Sequence, residues 1–239
     1  MDLLTIIFLA GLLSILAQYL GLLTFDGAVA SLGIGLVIGF FGSVDWLLIL
    51  IIFTGLGFAA TLVGLAKKRA KGHQEGSYGE RMYKNILAVG IAPCVFAVLC
   101  YFTADEHYTL LSIAYISSIT VAAADTIASE VGVKDKKVWL ITSFKRVEPG
   151  TDGGISVMGT GLALLAAIVV AAIGWYFIFD KPWDMMFLIP VTAGMVGCLM
   201  DSVFGATLER RGYLSKYTNN ASTAMIGSIF AMAVYTFMF

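Results

Sequence analysis

Apolar residues fill most of this chain in long unbroken stretches, and the polar ones collect at the breaks between them. A helix needs about 20 predominantly apolar residues to cross a bilayer, and such stretches occupy 3–23, 26–41, 45–66, 85–103, 109–125, 157–179, 184–205 and 220–238. The pattern predicts an all-α fold, a polytopic transmembrane helical bundle of about eight spans. The second stretch is short and carries Gly33, Gly35 and Gly39, so it is expected to be tilted, broken or re-entrant. These glycines, with Gly55, Gly57 and Gly64 in the next stretch, read as surfaces where helices approach closely.

Composition agrees: 59% of the 239 residues are hydrophobic, 13% are charged and the mean hydropathy is +0.89, far from the mix of a water-soluble domain. Of the 15 Lys and Arg residues, 14 fall in 67–84, 134–146 and 210–216. Basic residues beside spans are retained in the cytoplasm. Eight spans then place loops 67–84, 126–156 and 206–219 inside a prokaryotic plasma membrane and both termini outside, which accounts for every basic residue except Lys181. For Lys67, Lys68, Arg69 and Lys71 the plain structural reading is topology anchoring together with contact to anionic lipid headgroups. The longest loop has about thirty residues, too few for a core of its own, so 1–239 reads as a single integral membrane domain. A net charge of −1 gives no nucleic-acid footprint. Cys94, Cys100 and Cys198 read as small packing residues, and His73 and His107 fall in opposite loops.

The candidate chemistry lies where helices meet the inner face. Asp125 opens Asp125-Thr126-Ile127-Ala128-Ser129-Glu130, and Asp125 and Ser129 share a helical face. A carboxylate at the membrane boundary is costly unless it is solvated, paired or bound to a cation. The functional reading is magnesium coordination or orientation of a nucleophile; the structural one is capping or an ion pair. Asp201-Ser202 with Gly205 repeats the arrangement at another helix exit, and with eight spans the two helices run parallel, so Asp125 and Asp201 can meet around Mg²⁺. In Lys145-Arg146-Val147-Glu148-Pro149-Gly150-Thr151-Asp152-Gly153-Gly154-Ile155-Ser156, Lys145 and Arg146 suit phosphate oxygens. Gly150, Thr151, Gly153 and Gly154 can turn backbone N–H groups toward an anion, and Ser156 can cap the next helix or leave its end to phosphate. Asn219 and Asn220 suit either polar packing or hydrogen bonds to a nucleotide or headgroup. Arg81 can clamp phosphate beside Asn85, with Glu80 holding Arg81 or a metal.

These blocks resemble the domain-of-unknown-function 92 family of integral membrane proteins, which includes the plant chloroplast phytyl-phosphate kinase. The resemblance rests on Gly79-Glu80-Arg81 with Asn85, on Ala124 to Gly132, on Ile141 to Val147 leading into Pro149 to Gly154, and on Asp201-Ser202 with Gly205 to Arg210. It implies transfer of a phosphoryl group from CTP or ATP to an isoprenoid monophosphate, with Mg²⁺ on Asp125 and Asp201, Lys145 and Arg146 stabilising the transferred group, and Asp152 or Glu130 as a further metal contact. Cytidylyl transfer to a lipid phosphate is the close alternative. A transporter of lipid or solute, which calls for polar groups toward the middle of several spans, is the non-enzymatic one.

Overall fold

The computed structural model of the protein describes residues 2–71, 79–180 and 183–239, with side chains throughout except over 63–71. The anchoring assigned to Lys67, Lys68, Arg69 and Lys71, and the placement of Gly64, His73 and Lys181, lie outside the described residues. The chain is a polytopic membrane protein, a bundle of α1 (Asp2–Tyr19), α2 (Phe25–Phe41), α3 (Val44–Lys71), α4 (Tyr83–Phe102), α5 (Tyr108–Gly132), α6 (Val157–Phe179), α7 (Leu188–Phe204) and α8 (Lys216–Met238). Among the described residues, seven helices are long and apolar enough to cross a membrane, and α2, at 17 residues, is the short one.

Helix α5 is the axis of the bundle. It packs against α3, α4, α6, α7 and α8, and Ile113 to Ser118 are all fully buried. Three hydroxyls on this buried stretch are satisfied within the helix itself: Ser117, Ser118 and Thr120 donate to the carbonyls of Ile113 (2.7 Å), Tyr115 (2.6 Å) and Ile116 (2.8 Å). Such local partners let polar side chains sit at the centre of an apolar bundle without leaving an unmet donor. Helix α8 is bound to this axis by Ser228, whose hydroxyl reaches the Ala114 carbonyl at 3.0 Å.

Close helix approach is concentrated where small residues allow it. A Cβ on Gly39 would fall 2.5 Å from the Ile6 side chain, and one on Gly35 3.0 Å from Ala10. Gly33 and Gly55, by contrast, meet nothing within 4 Å, so the packing role expected of them is not made inside the chain.

The polar loops share one end of the bundle. The turn after α1 is stitched to the segment before α4, with the Arg81 amide donating to the Leu22 carbonyl (2.9 Å) and the Thr24 amide to that of Arg81 (3.2 Å). At the other end Phe41 meets Tyr101 and Phe102, with ring centroids 5.3 and 6.0 Å apart.

One feature adds to the all-helical expectation. Between α5 and α6 the chain forms three short strands, β1 (Val138–Leu140), β2 (Arg146–Val147) and β3 (Gly154–Ile155), in the order β2-β1-β3. Both neighbours are antiparallel to β1, with Trp139 opposite Arg146 on one side and Ile155 on the other. The Pro149-Gly150 turn lies between β2 and β3 and prevents a continuous helix there. Asp135 fixes the approach to this sheet: its carboxylate accepts from the Lys137 amide at 3.0 Å. That hydrogen bond, assisted by contacts with Met158 and Ser156 at the start of α6, holds the carboxyl below the usual carboxylate range.

Candidate active site

The last turns of α5 carry two polar faces. Positions three and four apart share a face of a helix, so Asp125, Ser129 and Gly132 line the side toward α6 and α7, while Thr126 and Glu130 turn toward α3. The two sides are built differently.

The first side opens into a cavity of about 420 Å³ at the polar end of the bundle. Asp125 and Ser129 of α5 face Asp201 and Ser202 of α7 across it, and the Gly150 to Ser156 turn, Lys216 and Asn220 complete the rim. The two helices that supply the aspartates both end here, so Asp125 and Asp201 meet: their carboxyl groups are in side-chain contact. Oδ1 of Asp201 is sealed from solvent and has no hydrogen-bond partner among the described residues. Asp152 and Glu209 add two further carboxyl groups, and among the described lining residues Lys216 is the sole cation. The C-terminal turns of α5 and α7 contribute partial negative charge here. Beside them α6 and α8 present their N-termini, capped by Ser156, which accepts from the Gly159 amide at 3.0 Å, and by Ser215, which accepts from the Thr218 amide at 3.2 Å.

The Thr151-Asp152-Gly153-Gly154 turn docks directly on the end of α7. Gly153 is left-handed, at φ 75°, and a Cβ on it would lie 2.6 Å from both the Ala206 amide nitrogen and the Ser202 carbonyl oxygen and strike the Ala206 side chain. Only glycine allows this approach. At the point of contact α7 loosens into a π turn, Gly205–Glu209, a form common at functional sites. Asn219, 1% exposed, holds the turn: its Nδ2 donates to the Asp201 carbonyl (3.1 Å) and to Glu209 Oε2 (3.2 Å). Asn219 therefore acts from behind the wall, and Asn220 lines the cavity.

The second side of α5 is closed by an internal cation. The Glu130 carboxylate lies 4.0 Å from Arg81 Nη2, and their side chains are only 11% and 14% exposed. The Thr61 hydroxyl bridges them, accepting from Arg81 at 3.0 Å and lying 3.3 Å from Glu130 Oε1. The guanidinium stacks over Phe58 at 5.6 Å. Asn85 caps α4, its side-chain oxygen accepting from the Met82 amide at 3.1 Å. Glu80, Arg81, Asn85 and Glu130 thus stand apart from the cavity lining, and Glu130 faces Arg81 where a metal contact was expected.

Lys145 and Arg146 are also separated from the cavity. Both are exposed on the hairpin formed by β1 and β2. Their closeness in sequence to Asp152 does not bring them into the cavity: β2 pairs with the side of β1 away from β3, and neither residue is among the lining. Lys216 stands at the rim in their place. Neither Lys216 nor Glu209 was expected in the site, although Asp201, Gly205 and Glu209 at intervals of four carry a signal for the second. Among the described residues, no group of three or more His, Cys, Asp or Glu side chains is arranged to hold a metal ion.

The model of the family described as integral membrane protein DUF92 matches residues 8–233. The chain belongs to this family. Within it, the protein is 36% identical over 212 residues to an uncharacterized membrane protein of Methanocaldococcus jannaschii, covering 88% of this chain and 84% of that one. It is 30% identical over 204 residues to the chloroplast protein VTE6 of Arabidopsis thaliana, covering 83% of this chain and 60% of the plant protein. The Arabidopsis protein PGR is 30% identical over 190 residues, with 70% of this chain and 65% of PGR covered. No solved structure matches the chain.

Proposed function

We propose that this family member transfers a phosphoryl group from CTP or ATP to an isoprenoid monophosphate, giving the diphosphate, with Mg²⁺ as cofactor. The observation that carries the reading is the meeting of Asp125 and Asp201 in a cavity where, among the described residues, carboxyl groups outnumber the one lysine. Carboxyl groups brought together at a membrane boundary either share a proton or take up a cation. The likeness to the family that includes phytyl-phosphate kinase supplies the chemistry that such a cation serves.

The donor set fits magnesium. It consists of oxygens, it includes the orphaned Asp201 Oδ1, and it falls short of a full protein cage. Mg²⁺ is ordinarily held by one or two carboxylates, with waters and substrate phosphates completing its shell. Asp125 and Asp201 would hold it, with Asp152 and Glu209 near, and the ion would neutralise charge on the donor phosphates.

The protein's own groups do the rest. Lys216 and the N-termini of α6 and α8 receive phosphate oxygens. Ser129 and Ser202 offer hydroxyls beside the two aspartates. An oxygen of the acceptor phosphate attacks the terminal phosphorus of the nucleotide, and the bond to the bridging oxygen breaks to release a nucleoside diphosphate. The acceptor is already an anion, so positioning and charge neutralisation outweigh general-base help. The polar end of the bundle faces the cytoplasm, where nucleotide is supplied and where its basic loops would be retained.

The test is incubation of the purified protein with Mg²⁺, labelled CTP or ATP and a series of isoprenyl monophosphates, with both products identified. Nucleoside diphosphate together with prenyl diphosphate is the expected result. Pyrophosphate in its place would assign cytidylyl transfer, and no transfer by folded protein across the series would overturn the enzymatic reading.

A further inference from the structure

The cavity continues below its acidic rim. From Asp201 down α7 to Met195 it extends about 9 Å at 1.5 Å per residue, and its lining there is apolar: Ala163 of α6 with Met195, Cys198 and Leu199 of α7. This is shorter than the roughly 15 Å of hydrocarbon in one leaflet, so an extended isoprenoid tail has to leave it.

Most ways out are shut by close backbone contact. Under the cavity, a Cβ on Gly194 would lie 2.6 Å from the Thr120 side chain and 3.2 Å from Ala167, both fully buried residues. Toward α8, Cβ atoms on Gly197 and Gly227 would each fall 2.5 Å from Val121. Between α5 and α6, one on Gly132 would sit 3.2 Å from the Gly159 Cα. The seam between α6 and α7 differs. There Thr160 and Leu199 both line the cavity and are exposed, Leu199 by 38%.

We propose that this seam, flanked by Thr160 and Leu199, is the portal through which the hydrocarbon tail of a lipid phosphate passes from the cavity into the bilayer, with Ala163 and Met195 along its path. The proposal rests on the lipid-phosphate reading of the cavity and adds the site that recognises the tail. A soluble acceptor has no need of an apolar, membrane-facing gap beside a charged chamber; an amphiphile with its phosphate at Asp125 and Asp201 does. Side chains at the gap, and not those at the rim, then set which tails are accepted.

Two measurements test it. In the first, a long-chain prenyl monophosphate carrying a photoreactive diazirine on its tail is irradiated with the full-length protein in lipid nanodiscs, and the labelled peptides are mapped. Labelling within 160–163 and 195–199, lost in Leu199→Trp and retained in Leu165→Trp, is expected. Labelling spread over other lipid-facing helices, or unaffected by Leu199→Trp, overturns the portal.

In the second, KM is compared for geranylgeranyl and isopentenyl monophosphate. Thr160→Trp and Leu199→Trp should raise KM for the long substrate at least about tenfold more than for the short one, the effect of losing roughly two buried methylene groups. Equal changes for both, or none, reject the proposal. Both positions are exposed, so the fold should tolerate tryptophan. Site-specific labelling without turnover would keep the portal and defeat the kinase reading, while turnover with non-specific labelling would do the reverse.

Discussion

Asp125 and Glu130 stand five residues apart at the end of one helix, and their surroundings are opposite. Glu130 is 8% exposed and faces Arg81 across a Thr61 bridge, with the guanidinium laid on Phe58. Asp125 faces another carboxyl group, Asp201, in a chamber rimmed by Asp152, Glu209 and Lys216. The first arrangement is neutralised from within and ties α3, α4 and α5 together. The second gathers four carboxyl groups about one lysine among the described residues, an arrangement that a bound cation would stabilise. A carboxylate set against a buried arginine reads as structure, and a cluster of carboxyl groups that outnumber the cations lining their cavity reads as a site.

Substitution can break this comparison. The largest effect is expected from Asp125→Asn and Asp201→Asn. Each should lower phosphoryl transfer by on the order of a hundredfold to a thousandfold, measured as turnover by protein of normal abundance and membrane insertion. Retained turnover in both variants would remove the charge argument altogether.

On the other face, Arg81→Met and Glu130→Gln should each destabilise the protein by about 3 kcal/mol, because each strands a mostly buried partner. Unfolding in detergent would report it, and the double replacement Arg81→Met with Glu130→Leu should recover much of the loss. If Glu130→Gln instead abolishes turnover at unchanged stability, the two faces belong to one site.

A smaller effect tests how the chamber is assembled. Gly153→Ala places a methyl group against Ala206 and forces a left-handed alanine, at about 1–2 kcal/mol for the backbone alone. Turnover should fall about tenfold, with the Arg81 cluster undisturbed by amide exchange. The smallest expected effect separates the basic groups: Lys216→Met should raise KM for the nucleotide about fivefold, the net worth of one solvent-accessible hydrogen bond, whereas Lys145→Met should leave it unchanged.

Much of the architecture was legible in the sequence because the bilayer imposes one crude rule, apolar residues in lengths that span it. The run of apolar helices, the shortness of α2 and the common end of α5 and α7 follow from counting spans, although α5 continues as helix to Gly132, past the expected break at 126. Within the site, helical periodicity paired Asp125 with Ser129, and the parallel course of two helices brought Asp201 to them. Local sequence misled at Lys145 and Arg146, where adjacency to Asp152 was taken for proximity and a three-stranded sheet carried them to its far edge. Gly153 and Gly154, read from the sequence as turning toward a ligand, line the cavity, and Gly153 in addition permits the close contact with the end of α7.

The sequence by itself determined that the chain crosses a membrane, that its charged chemistry gathers in three loops, and that two aspartates end parallel helices. It could do so because hydropathy and helical period are properties of contiguous residues. Only the tertiary structure decided which charges neutralise one another. Arg81 with Glu130, Lys216 with the acidic chamber, and Asn219 behind Asp201 and Glu209 are pairings between distant segments, fixed by how glycines let helices approach and by strand order in a small sheet. Charge complementarity depends on distance in space, and no spacing along the chain encodes it.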